Sequence, residues 1–496
     1  MLDSLSNLFT LEALFLMFLG TSLGVVVGAI PGLTGAMLIA LSLPLTFGMS
    51  GEMALVLLIS MYVGTVSGGL VTATLLRIPG TPASMMTTLD GYPMAVEGKS
   101  GRALGLGVMA SLVGGLVSWG FLVILSGPLA TLSLQFGPFD FFALVMMALI
   151  LIVSVSGESL INGLLSGALG LLAAMPGASA ATGQPRWTLG FHELNDGLKL
   201  LPVLIGLFAV NQVLNEAWNL NRGQEASILR SNRISLSISD WFSNRVNLLR
   251  SSLLGTFIGI LPGIGANIGS VVAYSVAKSQ SSHPEKFGTG SEEGIIASEA
   301  ANNATVGGAL IPLIAMGIPG SVIDAILLGA LVIHGLQPGP LLMEQNPEVV
   351  HIIMWTMLFS NLLMFGLMVF SIRWLAKLAS LPKHLLIPTI LTFCVIGSYA
   401  LANRMFDVWV MLGFGLIGFF MERWRIPLAP FVIGFVLAPI GEEHLSEGLM
   451  QTNGDWSPLL TRPIAGTLTA LSIALLFFTV FQHYRGRRVQ AKGQDD

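Results

Sequence analysis

Apolar stretches of membrane-crossing length recur along the whole chain, and no other feature restricts its fold as strongly. A helix needs ~20 such residues to traverse the hydrocarbon core of a bilayer. Runs of that order lie at 11–30, 51–76, 103–127, 139–156, 160–181 and 199–217. After a polar interval they resume at 249–277, 294–317, 322–336, 349–371, 385–401, 405–421, 426–440 and 463–482. Several are short or interrupted by Pro and Gly. The pattern predicts an all-α polytopic membrane protein with about 12 transmembrane helices plus broken or re-entrant segments. A β-barrel would show ~10-residue alternating strands instead. Composition agrees: charged residues are 10% of the 496, against ~25% in soluble domains. That is too few for a soluble enzyme, a disordered chain or the basic face of a nucleic-acid binder. A single cysteine, Cys394, allows neither an internal disulfide nor a Cys-built metal site.

Charge at the ends of the runs predicts orientation. Residues 219–250 carry Arg222, Arg230, Arg233, Arg245 and Arg250 against Glu225 and Asp240, and the tail carries Arg485, Arg487, Arg488 and Lys492. Both segments read as cytoplasmic by the positive-inside rule. Residues 441–460 hold Glu442, Glu443, Glu447 and Asp455 with no Lys or Arg, and read as external. The N-terminus, which has no basic residue before Arg77, also reads as external. It lacks the basic start of a cleavable signal, so the first run is expected to be a retained helix.

The chain repeats itself. Gly24-Val-Val-Val-Gly28-Ala-Ile-Pro31-Gly32 matches Gly255-Thr-Phe-Ile-Gly259-Ile-Leu-Pro262-Gly263 at an offset of 231. Gly64-Thr65-Val-Ser67-Gly68, leading to Pro79-Gly80-Thr81, matches Ala304-Thr305-Val-Gly307-Gly308, leading to Pro319-Gly320-Ser321, at 240. Pro202 through Gly206 matches Pro430 through Gly434 at 228. Residues 10–218 and 250–446 are therefore read as two repeats, joined by a cytoplasmic connector at 219–249. An extra helix at 463–482 and a cytoplasmic tail at 483–496 follow. One repeat starts outside and ends in the connector, while the other runs from the connector to the acidic external segment. The two should be inverted, as in alternating-access transporters that bind substrate where the repeats meet.

Four Pro-Gly pairs sit at matched positions: 31–32, 79–80, 262–263 and 319–320. Pro removes a backbone donor and Gly accepts positive φ, so each pair should interrupt its helix. Broken backbone at membrane depth must line protein or a wet cavity. Freed amides at a half-helix N-terminus suit carboxylates, and freed carbonyls suit Na+. The candidate substrate residues are Gly32, Thr34, Pro79, Gly80, Thr81, Gly263, Gly265, Asn267, Asn302, Asn303, Pro319, Gly320 and Ser321, with Ser84 nearby. Asn302 and Asn303 are adjacent amides in an apolar run and need partners in backbone, ligand or ion. Thr65, Ser67, Glu299 and Thr305 are candidates for cation coupling. Asp324 and Arg77 are further ionisable residues within or beside apolar runs, and Arg77 would attract an anion. A capping box at Thr289-x-x-Glu292 would start the helix that carries Glu299. The ladder Gly20-x-x-x-Gly24-x-x-x-Gly28 reads as close helix packing, and the few Trp and Tyr read as interface anchors.

Enzyme motifs fail on context. Gly20-Thr-Ser22-Leu-Gly24 resembles a nucleophile elbow and Gly413-Phe-Gly415-Leu-Ile-Gly418 a dinucleotide fingerprint, yet both lie inside spanning runs. No catalysis is assigned, and an intramembrane enzyme is the weakest of the alternatives.

At the Pro-Gly breaks the chain resembles the large membrane subunit of the tripartite tricarboxylate transporters, the TctA type. The resemblance rests on Gly28-Ala-Ile-Pro31-Gly32-Leu, Tyr62-Val-Gly64-Thr-Val-Ser-Gly68-Gly69, Ile78-Pro79-Gly80-Thr81-Pro82, Leu261-Pro262-Gly263-Ile-Gly265-Ala266 and Glu299-Ala-Ala-Asn302-Asn303-Ala with Gly317-Ile-Pro319-Gly320-Ser321. It implies a multi-pass protein of the bacterial inner membrane that works with a small four-helix membrane subunit and a periplasmic substrate-binding protein. It also implies import of di- and tricarboxylates, citrate among them, driven by Na+ or H+. No cofactor and no nucleic-acid partner are expected. A binding-protein-independent organic-anion exporter or channel of the same architecture is the alternative.

Overall fold

The computed structural model describes residues 5–6, 8–79, 81–155, 159–179, 182–218, 234–262, 265–378, 383–400 and 402–492. The first half contains α1 (Leu11–Gly28), α2 (Gly35–Ser42), α3 (Gly51–Leu76), α4 (Met85–Val96), α5 (Ser100–Ser133), α6 (Pro138–Val155) and α7 (Leu160–Ala173). It closes with α8 (Leu200–Trp218), which opens into a π turn over Ile205–Val210. After the connector helix α9 (Ile238–Ser243) come α10 (Arg245–Ile260), α11 (Gly265–Gln280), α12 (Glu292–Met316), α13 (Val322–Ile333) and α14 (Pro347–Leu378). The chain ends with α15 (Lys383–Ala400), α16 (Met405–Arg423), α17 (Leu428–Gln451) and α18 (Pro463–Lys492). Among the described residues, seven helices are long and apolar enough to cross a membrane, and shorter apolar helices accompany them. This is an all-α, multi-pass membrane protein.

Two helices form its centre. The apolar window of α3 is wholly buried, and α12 is buried continuously from Gly294 to Ala315. Neither faces lipid along that length, so their polar residues meet protein.

Glycine sets how closely α1 and α10 approach these two. A Cβ on Gly24 would lie 3.0 Å from Gly64 Cα. One on Gly28 would lie 3.1 Å from Gly68 Cα and would collide with the Thr65 carbonyl. In the second half, a Cβ on Gly259 would lie 3.1 Å from Gly308 Cα and 2.6 Å from the Thr305 carbonyl oxygen. Only small residues admit such contact, which is how helices without a hydrophobic driving force gain packing in lipid. The ladder expected to pack helices does pack them.

Each described break falls at its Pro-Gly pair. The first lies between α1 and α2, with Gly32 at φ +89°, and the second follows α3, whose C-cap Arg77 is left-handed at φ 57°. The third separates α10 from α11, with Gly265 at φ +61°. The fourth lies between Met316 and Val322, with Gly317 as a left-handed cap at φ 71°. Gly80 and Gly263 lie outside the described residues.

Several boundaries differ from the sequence reading. Ser291 caps α12 by accepting from the Gly294 amide, so the expected Thr289–Glu292 box does not form; the hydroxyl one residue before the helix reaches the third amide directly. Helix α17 runs past the apolar stretch at 426–440 to Gln451, and α18 runs past that at 463–482 to Lys492, because Glu, Gln, Lys and Arg are good helix formers and do not end a helix on their own. Residues 219–233 of the connector lie outside the described residues.

The remainder of the connector is tied down by charge. The Arg102 guanidinium donates to Glu292 at 2.9 and 2.8 Å and to Asp240 at 2.5 Å. Asp240 also accepts from the Ser237 amide at 2.7 Å. The guanidinium beside Asp240 holds its carboxyl below the ordinary value of 3.8. A carboxyl depressed on folding contributes stability above its ordinary pKa and loses that contribution as pH falls through the folded value. Acidification below about pH 4 should therefore lower the detergent-solubilised melting temperature of the native protein more than that of Asp240→Asn. Gly28→Leu and Gly259→Leu should each cost about 1–3 kcal/mol through overpacking, read as reduced thermal stability by fluorescence-detected gel filtration.

Candidate functional site

The breaks gather around the crossing of α3 and α12. The Ser67 hydroxyl donates to Asn303 Oδ1 at 2.6 Å, and Asn302 Nδ2 donates to the Val66 carbonyl at 3.3 Å. Both asparagines are 2% exposed or less, so helix-to-helix bonding satisfies much of what their burial would otherwise cost. Asn303 Nδ2 donates further to the Glu299 carbonyl at 3.1 Å. Asn302 Oδ1 is buried without a hydrogen-bond partner among the described residues.

Thr65 and Thr305 hold matching places. A Cβ on Gly35, in the first turn of α2, would meet the Thr65 methyl at 2.9 Å. One on Gly269, in α11, would meet the Thr305 methyl at 2.7 Å. Each threonine thus touches both the helix before a break and the helix after it. Their hydroxyls donate within their own helices, to the Met61 and Asn302 carbonyls at 2.6 Å each.

The half-helix starts carry hydroxyl caps. Thr34 Oγ1 accepts from the Met37 amide at 3.1 Å and Ser321 Oγ from the Asp324 amide at 3.3 Å. In the second break the Thr81 amide donates to Ser84 Oγ at 3.1 Å, and Ser84 Oγ donates to the Thr81 carbonyl at 2.8 Å. A Cβ on Gly69 of α3 would press on both hydroxyls. The third and fourth breaks meet where Gly265 faces Ser321 Cβ, 3.6 Å from where its own Cβ would stand. Pro319 and Gly320 are buried, and a Cβ on Gly320 would lie 2.9 Å from the Gly259 carbonyl.

Not every predicted residue joins this cluster in the same way. Gly32 turns beside Gln212 and Glu216 of α8, which line a small recess together with Pro31, Leu33, Ile387 and Ile390. Pro79 is half-buried. The Asn267 side chain lies outside the described residues. Arg77 is exposed at the C-terminus of α3 with its guanidinium 5.7 Å above the Tyr92 ring, where a cation complements the helix dipole.

The acids are buried differently. Glu299 is fully buried and accepts from Thr87 at 2.5 Å and Ser111 at 3.5 Å. Asp90 accepts from the Gly288, Gly290 and Ser291 amides at 2.8, 3.0 and 2.8 Å and from the Tyr274 hydroxyl at 2.8 Å. It fastens the loop that precedes α12. Sequence reasoning missed Asp90, Thr87 and Ser111, since their partners are some two hundred residues away. It also misplaced Tyr62, read as an interface anchor. Tyr62 is 4% exposed, and its hydroxyl lies 3.2 Å from Ser321 Oγ. The signal was available: a phenol inside the most apolar buried helix requires a polar partner.

Residues 14–433 match the family model described as the tripartite tricarboxylate transporter TctA family. The chain belongs to that family. An uncharacterized 52.8 kDa protein from the TAR-I ttuC' 3' region of Agrobacterium vitis is 34% identical over 479 residues, covering 97% of this chain and 95% of that relative. An uncharacterized protein from the TAR-II ttuC' 3' region of the same species is 35% identical over 242 residues, covering 49% of this chain and 100% of that relative. No solved structure matches the chain. As a TctA-family protein it is the membrane component of a three-part transporter, which is the family expected from the Pro-Gly motifs.

The two asparagines should behave differently. Asn303→Ala removes both a short acceptor and a donor from a dry crossing, and should cost about 1–3 kcal/mol in thermal stability. Asn302→Ala loses one long bond and an unmet carbonyl, so its melting temperature should stay close to that of the parent.

Proposed function

We propose that this chain forms the translocation path of a binding-protein-dependent secondary transporter that imports di- and tricarboxylates such as citrate. The coupling ion is Na+ or H+. The observation that carries the reading is the convergence of the Pro-Gly breaks on the α3–α12 crossing. Among the described residues no Lys or Arg enters that cluster, and the capping hydroxyls of α2 and α13 and the first-turn amides of α2, α11 and α13 stand at its edge. Half-helix N-termini present several N–H donors and about half a positive charge each. They can hold a carboxylate firmly enough to select it and loosely enough to release it, which a buried guanidinium would hinder.

Alternating access follows from the repeats in this reading. Residues 10–218 and 250–446 act as inverted halves around a site at mid-membrane, with the N-terminus in the periplasm and the C-terminus in the cytoplasm of a bacterial inner membrane. The paired glycine contacts are backbone against backbone, so each helix before a break moves with its partner as one body, and an elevator-type displacement is the motion they favour. A small four-helix subunit stabilises the complex, and a periplasmic binding protein delivers substrate. The rival reading, a channel or exporter that needs no binding protein, lacks the requirement for delivery.

Reconstitution tests this. Proteoliposomes with the membrane partner and loaded binding protein should accumulate labelled citrate above equilibrium under an imposed Na+ or pH gradient. Omitting the binding protein should abolish uptake. Asn302→Ala and Ser321→Ala should lower it about tenfold each, the equivalent of one lost hydrogen bond. Gradient-independent leak, or undiminished uptake without the binding protein, contradicts the proposal.

A further inference from the structure

Asp324 is the one acid in the buried core whose burial nothing described explains. It is 0% exposed, three residues into α13. Neither of its carboxylate oxygens has a hydrogen-bond partner among the described residues. Glu299, at the same degree of burial, accepts from two hydroxyls, and Asp90 from three amides and a phenol. An ionised carboxylate cannot persist in a dry site unless it is neutralised or coordinated.

The bland explanation for an acid at this position is a capping box. Ser321 fulfils its half by accepting from the Asp324 amide at 3.3 Å. The Ser321 amide and hydroxyl stand close to the carboxylate, yet neither closes a return bond of ordinary geometry, whereas in α9 Asp240 completes one with Ser237. The dipole of α13 supplies roughly half a positive charge, which leaves the carboxylate short of neutrality.

No charged partner makes up the difference. Of the elements packed on α13, α3 brings the Tyr62 phenol, whose hydroxyl lies 3.2 Å from Ser321 Oγ. No titratable residue occurs in α2, and α17 contacts this region through Ile433 and Leu437. On α12, Glu299 is occupied by Thr87 and Ser111. Lys199 adjoins Leu200, which packs on Gly329 farther along α13, and His334 at its end lies 3.0 Å from Thr46 Oγ1. Among the described residues no Lys, Arg or His lies in an ion pair with the Asp324 carboxyl.

We propose that Asp324, with the Tyr62 and Ser321 hydroxyls, binds the single monovalent cation, Na+ or H+, that couples transport. The hydroxyls of this pair lie 3.2 Å apart and provide oxygen ligands beside the carboxylate. Ser321 also begins the half-helix that lies against the third break, so filling the cation site fixes the N-terminus expected to hold the substrate. The inference deepens the cation-coupled reading and depends on it for the role of the ion, but its test needs no carboxylate substrate.

Two measurements on the purified full-length chain separate the ions. Radioactive Na+ binding at equilibrium counts sodium, and infrared difference spectroscopy across a pH titration reports a protonated carboxyl. Asp324→Asn should remove one bound Na+ per chain, or else one titrating carboxyl band, while Asp324→Glu restores that signal. Tyr62→Phe should weaken the affinity about tenfold, one hydrogen bond's worth. Unchanged Na+ binding and an unchanged carboxyl band in Asp324→Asn overturn the proposal, as does a native protein that shows neither signal. Should Asp324→Asn fail to fold, the native, Asp324→Glu and Tyr62→Phe proteins still decide it. A native chain that binds the cation while the reconstituted complex moves no citrate would refute the transport reading and leave the cation site standing.

Discussion

Backbone-to-backbone contact at Gly28 against Gly68, and at Gly259 against Gly308, is the constraint from which the remaining architecture follows. In lipid, apolar side chains gain nothing by leaving their solvent, so helices associate through dispersion and close approach. Each contact places the carbonyl of Thr65 or Thr305 directly beneath the last turn before a break. The threonine methyl then fills the space left by a glycine just beyond that break. One residue on each central helix therefore fixes both sides of an interruption, and the interruptions can be neither straightened nor moved without pushing on a peptide carbonyl.

Burial of α3 and α12 has a chemical consequence. Polar atoms on these helices are shut away from water and lipid alike, so they gain by bonding within protein. Ser67, Asn303, Thr65 and Thr305 are bonded within or between α3 and α12, and Glu299 accepts from Thr87 of α4. Asn302 Oδ1 on α12 and Thr74 Oγ1 on α3 have no hydrogen-bond partner among the described residues, and neither do the carboxylate oxygens of Asp324 on the adjoining α13. Around the crossing the unmet capacity thus includes one acceptor amide and one anion. This division suits a transporter, in which a rigid frame must persist while a few groups exchange partners with solutes.

How much of this was legible beforehand can be traced residue by residue. The helices, their interruption at Pro-Gly pairs, the small-residue ladder and the family were all readable, because each rests on local chemistry: hydropathy over a span, a missing amide, a missing Cβ. Positions without a local signature were not. Glu299 was a cation-coupling candidate as an acid within an apolar run, and its partners Thr87 and Ser111 come from distant segments. Tyr62 looked like an anchor at a membrane surface and proved to be at the centre. The α12 cap moved from Thr289 to Ser291, and α17 and α18 outran their apolar stretches, since a helix continues through charged residues that favour it.

Hydropathy and the Pro-Gly pairs were sufficient on their own to make this an all-helical membrane protein with broken segments, since both act through the chain's immediate neighbours and need no partner. Which buried polar groups would be quenched and which left wanting was settled only by the three-dimensional arrangement. That outcome depends on a hydroxyl some two hundred residues away arriving within 3 Å, as Thr87 does for Glu299 and no described group does for Asp324.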